Sequence, residues 1–239
     1  MPTLDLKMVE DIAIAQAKDD EGFLVDSFIA ICKFLDDNPD RLSLAATKRE
    51  KAEGFKPSVY ERSTLEKLAK KHFSGYRKSD VPTHPSTVPD PAVSNVLSST
   101  FGYTKEKTEE IKLQHQQSMG AENSVGGLLE RYIDSKLRDG HWYWCCGDFV
   151  RAIDFIHDDD GTWCAYQIKN RDNSENSSSS AIRNGTEIKK WFRSFSKNTA
   201  KSRELNYVNW SNLPEPLQGK GLSEEGFLAF IDGYIIENK

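Results

Sequence analysis

The sequence predicts a fold of the α/β (α+β) class, a mixed central β-sheet flanked by helices, with a mainly helical region ahead of it. Three observations carry that expectation. Apolar residues recur at three- and four-residue spacing over residues 5–37 and again over 121–140, the period of amphipathic helices. Over 141–157 the texture changes to "HWYWCCGDFVRAIDFIH", dense in the aromatic and β-branched side chains that favour strands. An acid-rich "DDDG" then separates this run from a second, "TWCAYQIKNR", and reads as the turn of a hairpin.

Taken in order, "LKMVEDIAIAQA" and "GFLVDSFIAICKFL" predict two helices, the second closed by the turn residues of "DDNPDR". "STLE" predicts a third, with Ser63 as N-cap and Glu66 three residues on. Residues 79–100 hold four prolines among many serines and threonines, which predicts an exposed irregular connector. The domain boundary is placed there, with 1–100 mainly helical and 101–239 a second unit. "TKEKTEEIKLQHQQ" is a polar helical stretch, and "AENSVGGLLERYIDSKLRDG" an amphipathic helix ended by Gly140. In the latter Val125, Leu129 and Ile133 form one stripe, Leu128, Tyr132 and Leu137 lie beside it, and Glu130 and Asp134 share a neighbouring face. After the hairpin, "GTEIKKWFRSFSKN" predicts a basic helix capped by Thr186, with Trp191 and Phe192 as core anchors. "ELNYVNW" and "GFLAFIDGYII" predict two strands, or a strand and a helix.

Composition excludes several classes. With 37% hydrophobic and 29% charged residues the chain can bury a real core, and no apolar run approaches the roughly 18 residues of a membrane span. The opening "MPTLDLKMVED" has no basic-then-apolar signal pattern, so a cytoplasmic protein is expected. Cys32, Cys145, Cys146 and Cys164 form no C-x-x-C pair and have no histidine at zinc-ligand spacing, which predicts buried reduced thiols, with Cys145 and Cys146 on opposite faces. No H-E-x-x-H, P-loop, dinucleotide-binding glycine pattern or nucleophile elbow is present. The net charge of −5 speaks against a nucleic-acid partner, but the average hides an exception. From Arg183 to Arg203, seven basic residues stand against Glu187 alone. A field of that kind is local, screened within about 10 Å, and can attract phosphates at one face. A solvated charged face is the bland reading of the same run.

The charges in the hairpin carry the chemistry. Alternation puts Ala152, Asp154 and Ile156 on one side of the first strand, and Ala165, Gln167 and Lys169 on one side of the second. If "DDDG" pairs the strands, Asp154, Gln167 and Lys169 converge at the end far from the turn. An Asp–Lys pair with a hydrogen-bonded glutamine would satisfy them structurally. A divalent ion explains the set better, because buried charges without a partner are costly and Mg²⁺ takes oxygen ligands from one or two carboxylates. Asp154 supplies a carboxylate, Gln167 its side-chain oxygen and Ile168 its backbone carbonyl, while Lys169 orients a water or steadies charge on phosphate.

An Asp on one strand, a turn, then "QIK" on the next resembles the PD-(D/E)xK nucleases. Here the pattern stands as "IDF", then Gln167-Ile168-Lys169 after twelve intervening residues. "AENSVGGLLERYI", "AIDFI", "YQIKNRDNSENSSSS" and "GTEIKKWFRSF" together are similar to type II restriction endonucleases of the SinI kind. The resemblance implies a restriction-endonuclease-like core, Mg²⁺ as cofactor, double-stranded DNA as substrate, a homodimer and GGWCC as target. It also implies a metal-facing helix glutamate ahead of the first strand, a role that Glu130 matches. Two departures are plain: Ile153 stands where the pattern has Pro, and Gln167 where it has an acid. The missing charge makes Glu130 the compensating ligand, with Glu122 and Glu187 as lesser candidates.

The loop after Lys169 would emerge beside the scissile phosphate. Asn and Arg read base edges, so Asn170, Arg171, Asn173 and Asn176 are candidates for base or backbone contact, against a plain flexible loop. Arg183, Lys189, Lys190 and Arg193 are candidates for gripping phosphates without reading sequence. The reading is a Mg²⁺-dependent, sequence-specific DNA endonuclease leaving 5′-phosphates. Its rivals are a repair or junction-resolving nuclease on the same core, a non-catalytic DNA-binding protein, and a structural domain with an incidental ion pair.

Overall fold

The computed structural model describes residues 2–48, 52, 54, 56–83, 88–172 and 186–239. Helices α1 (Leu6–Ile14) and α2 (Gly22–Asp37) form where the apolar period predicts them, and Asp5 caps α1 by accepting the Met8 N–H at 3.0 Å. Helix α3 runs over Arg62–Arg77. Its start corrects the Ser63 cap: the extended Glu61 precedes the helix, its carbonyl accepts from Thr64 and Leu65, and Ser63 lies inside.

The 79–100 segment is not irregular throughout. Helix α4 spans Pro91–Phe101, capped by Asp90, opened by Pro91 at its first turn and closed by Gly102 at φ 70°. That is the ordinary asymmetry of proline at a helix start and glycine past its end. The polar and amphipathic stretches beyond it run together as one helix, α5 (Lys105–Leu137).

Strands β1 (Trp142–Trp144), β2 (Phe155–Asp159), β3 (Thr162–Arg171) and β4 (Lys189–Ser194) form a mixed sheet in that order. The first three pair antiparallel, and β4 runs parallel to β3 with Ile168 opposite Trp191. The basic helix expected over "GTEIKKWFRSFSKN" is therefore corrected to a strand. Trp191 is its buried residue, and its backbone pairs with β3, a partner that local composition does not reveal. "ELNYVNW" forms no strand and, among the described residues, makes one isolated bridge, Ser194 to Val208, after the short helix α6 (Ala200–Glu204). "GFLAFIDGYII" lies in helix α7 (Glu224–Asn238).

Alternation along the strands divides the core into two layers. Ile156, with Ile153, Cys145, Phe149 and Ile188, packs on the buried faces of α1, α2 and α3. Phe155, Tyr166, Ile168 and Trp191 pack on α5 and α7 through Leu129, Tyr132, Ile133 and Phe227. The N-terminal helices thus share one core with a face of the sheet. Cys145 and Cys146 go to opposite layers as free thiols, and burial pushes both upward in pKa. Gly147, at φ 100°, touches the Lys71 carbonyl of α3 so closely that a β-carbon would not fit. Among the described residues no helix is long and apolar enough to cross a membrane.

Candidate active site

The site lies at the end of the β2–β3 hairpin remote from its turn. Strict alternation from Ala152 through Ile156 does not describe this end, because Ala152 adopts a left-handed φ of 59° and the ladder starts only at Phe155. Asp154 is pinned there by its backbone. Its N–H donates to the Tyr166 carbonyl at 2.9 Å, and its carbonyl accepts from the Cys145 N–H at 2.8 Å. The side chain then lies along β3. Oδ2 accepts the Ile168 N–H at 2.7 Å and stands 3.9 Å from Lys169 Nζ.

Helix α5 brings Glu130 to the same place. Its buried stripe of Leu128, Leu129, Tyr132, Ile133 and Leu137 fixes the helix on the sheet, and Glu130 Oε2 accepts the indole N–H of Trp144 at 2.8 Å. Burial raises the Glu130 carboxyl well above the ordinary range, and the charge of Asp154 adds to it, opposed by the Trp144 N–H and the Lys169 ammonium. Asp154 is raised too, first by burial, against the pull of Lys169 and the Ile168 N–H. Gln167 is fully buried on β3 between Tyr166 and Ile168. Among the described residues no group of three or more His, Cys, Asp or Glu side chains is placed to hold a metal. The arrangement is two carboxyls beside Lys169, with Gln167 at the sequence position where the nuclease pattern has an acid.

The lesser candidates lie elsewhere. Glu122 is exposed on α5, eight residues or about 12 Å along the helix from Glu130. Glu187 is exposed just before β4, at the level of Cys164, about 17 Å along β3 from Lys169.

The family model for the SinI restriction endonuclease matches residues 9–237. The chain is 41% identical over 234 residues to the type II restriction enzyme Eco47I of Escherichia coli, covering 97% of this chain and 96% of that one. It is also 41% identical over 214 residues to the type II restriction enzyme SinI of Salmonella infantis, covering 89% and 87%. The chain belongs to the SinI restriction endonuclease family. As a member it is a type II restriction enzyme, a site-specific deoxyribonuclease.

In this SinI-family enzyme the candidate DNA contacts fall into three groups. Arg171 is exposed at the end of β3, and Lys189 is exposed at the start of β4 with its ammonium 5.6 Å over the Tyr166 ring. Lys190 is half-buried beside it. Arg193 is engaged within the fold: Nε donates to Asn170 Oδ1 at 3.0 Å, and a terminal nitrogen donates to Glu224 of α7 at 2.5 Å. Asn173, Asn176 and Arg183 lie outside the described residues. Sequence reasoning missed Trp144, which sits in an aromatic run that reads as plain core. Nothing local marks it as the partner of Glu130.

Proposed function

We propose that this restriction enzyme hydrolyses phosphodiester bonds of duplex DNA with Mg²⁺ held by Asp154, Glu130, the Gln167 side-chain oxygen and the Ile168 carbonyl. The observation that carries the reading is the convergence of Asp154, Lys169 and Glu130 at one end of the hairpin. The donor set fits the ion. Its atoms are hard oxygens, and two carboxyls whose ionisation is opposed by burial, that of Glu130 also by the charge of Asp154, gain most from a cation. When bound, Mg²⁺ would polarise the scissile phosphate and lower the pKa of a water. Lys169, held 3.9 Å from Asp154, would orient that water or steady the charge that builds on phosphate. The Ile168 N–H keeps Asp154 oriented before substrate arrives. In-line attack leaves a 5′-phosphate and a 3′-hydroxyl.

The finer reading takes GGWCC as target and residues 101–239 as the catalytic unit, acting in the cytoplasm. Asn170, Arg171, Asn173 and Asn176 meet base edges or backbone, and Arg183, Lys189 and Lys190 hold phosphates. Arg193 contributes by fixing Asn170. A palindromic target calls for two-fold symmetry, hence a homodimer. The exposed apolar side chains support that assembly. Of twelve large ones among the described residues, seven lie between Val88 and Met119, five of them on α4 and the first half of α5 and two, Val88 and Tyr103, in the segments beside α4.

Incubation with plasmid and Mg²⁺, followed by sequencing of fragment ends, tests the reading. Discrete fragments with 5′-phosphate ends at GGWCC are expected, with none in EDTA and none from a plasmid lacking that site. Cleavage that persists in EDTA, or ends at unrelated sequences, overturns it.

A further inference from the structure

Trp144 borders the site without being a group that reacts. Its indole nitrogen is a donor only, so the 2.8 Å bond to Glu130 needs a carboxyl oxygen as acceptor and fixes the rotation of that carboxyl. The indole is itself braced. The Arg131 guanidinium lies 5.1 Å over its ring, and the Tyr76 ring meets it edge-on at 6.0 Å. Arg131 in turn donates to Asp80 Oδ2 at 2.5 Å, to the Tyr76 carbonyl at 2.8 Å and to the Lys78 carbonyl. The Asp80 N–H donates to the Tyr234 hydroxyl of α7 at 3.2 Å. Gly127 lets the Asp80 carboxylate lie against α5, since a β-carbon there would collide with it. The end of α3, helix α5, strand β1 and helix α7 therefore all meet around one side chain, and that side chain holds Glu130.

We propose that Trp144 is a positioning residue for the cation site, its N–H setting the Glu130 carboxylate and Arg131 setting the indole. The inference rests on the reading of Glu130 as a ligand. Groups that hydrogen-bond a ligating side chain typically control metal affinity by about 10- to 100-fold. A Trp144 that merely fills the layer around Leu129 and Ile133 would affect stability and leave affinity alone. The two roles separate in Trp144→Phe, which keeps an aromatic body under Arg131 and removes the donor.

The test measures Mn²⁺ binding to the full chain by electron paramagnetic resonance without DNA, beside thermal melting in EDTA. Trp144→Phe is expected to weaken Mn²⁺ binding about tenfold or more while melting within a few degrees of the parent. In a Glu130→Gln background the same change is expected to cause no further loss. Unaltered affinity in Trp144→Phe, with Glu130→Gln impaired, overturns this inference and leaves Glu130 a ligand. A loss as large in the Glu130→Gln background overturns it too, because the effect would not pass through Glu130. Equal affinity of the parent and Glu130→Gln removes the underlying ligand reading, and this inference with it. Should Trp144→Phe fail to fold, the parent's Trp144 indole N–H resonance decides. A saturable shift on Mg²⁺ titration, absent in Glu130→Gln, supports the assignment, and an unmoved resonance overturns it.

Discussion

The two ends of the β2–β3 hairpin use the same residue type for opposite purposes. At the turn, Asp158, Asp159 and Asp160 crowd three acids into successive positions, yet they serve the backbone. Asp158 Oδ1 accepts the Gly161 N–H at 2.7 Å, and Asp160 and Gly161 take the positive φ values, 48° and 85°, that close the loop. Asp159 and Asp160 are exposed. At the other end a single aspartate is paired with Lys169, stands close enough to Glu130 for its charge to be felt there, and is raised in pKa by burial. Solvent separates the two cases. Water screens the crowded acids, while desolvation makes the sparse ones costly unless a cation joins them. Acid density along the chain therefore marks the turn, and enclosure marks the end proposed to hold the cation.

The contrast breaks most sharply at Asp154. Asp154→Asn is expected to lower cleavage rate on the order of 10³-fold with duplex binding retained, measured by plasmid nicking and gel shift in Ca²⁺. An active Asp154→Asn would remove this end of the hairpin from the chemistry.

Glu130→Gln sharpens the comparison through stability. The folded Glu130 carboxyl is raised, so on increasing pH the unfolded chain releases this proton first, and stability declines with pH up to the folded value. The amide has no such penalty. Without divalent cations, the variant is expected to melt about 2–4 °C higher at pH 8, and to show no gain below about pH 4. Calorimetry at the two pH values checks this, and a variant that melts lower at pH 8 contradicts the assigned cost.

The smallest effect belongs to the turn. Asp158→Ala removes one hydrogen bond at a partly exposed position, worth about 0.5–1.5 kcal/mol. A drop of a few degrees in melting temperature is expected, with cleavage rate within about twofold of the parent, since nothing at the turn meets the reacting groups. A large loss of cleavage there would erase the distinction between the ends.

Much of this was legible in advance where the signals are local. The hairpin follows from "DDDG" between two apolar runs, and Asp154 and Lys169 stand out as charges in strands that otherwise read as core. Helix α4 was missed, because the density of prolines around Asp90 and Pro91 reads as a connector although those two residues form a helix start. Strand β4 was missed as well. "KKWFRS" suits a helix face as well as a strand, and only the backbone of β3, far off in sequence, decides between them. Likewise, "WYW" says that tryptophans are buried and leaves open which one keeps a polar partner.

Order along the chain was enough to place the amphipathic helices, the turn and the paired Asp and Lys, because period, capping and turn chemistry act over a few residues. Packing alone made the fourth strand, carried Glu130 across to Asp154 and set the Trp144 indole on it. Those contacts join segments that meet only when the two apolar layers close on the sheet. The low dielectric that raises these two carboxyls above their ordinary range exists only once that closure has buried them.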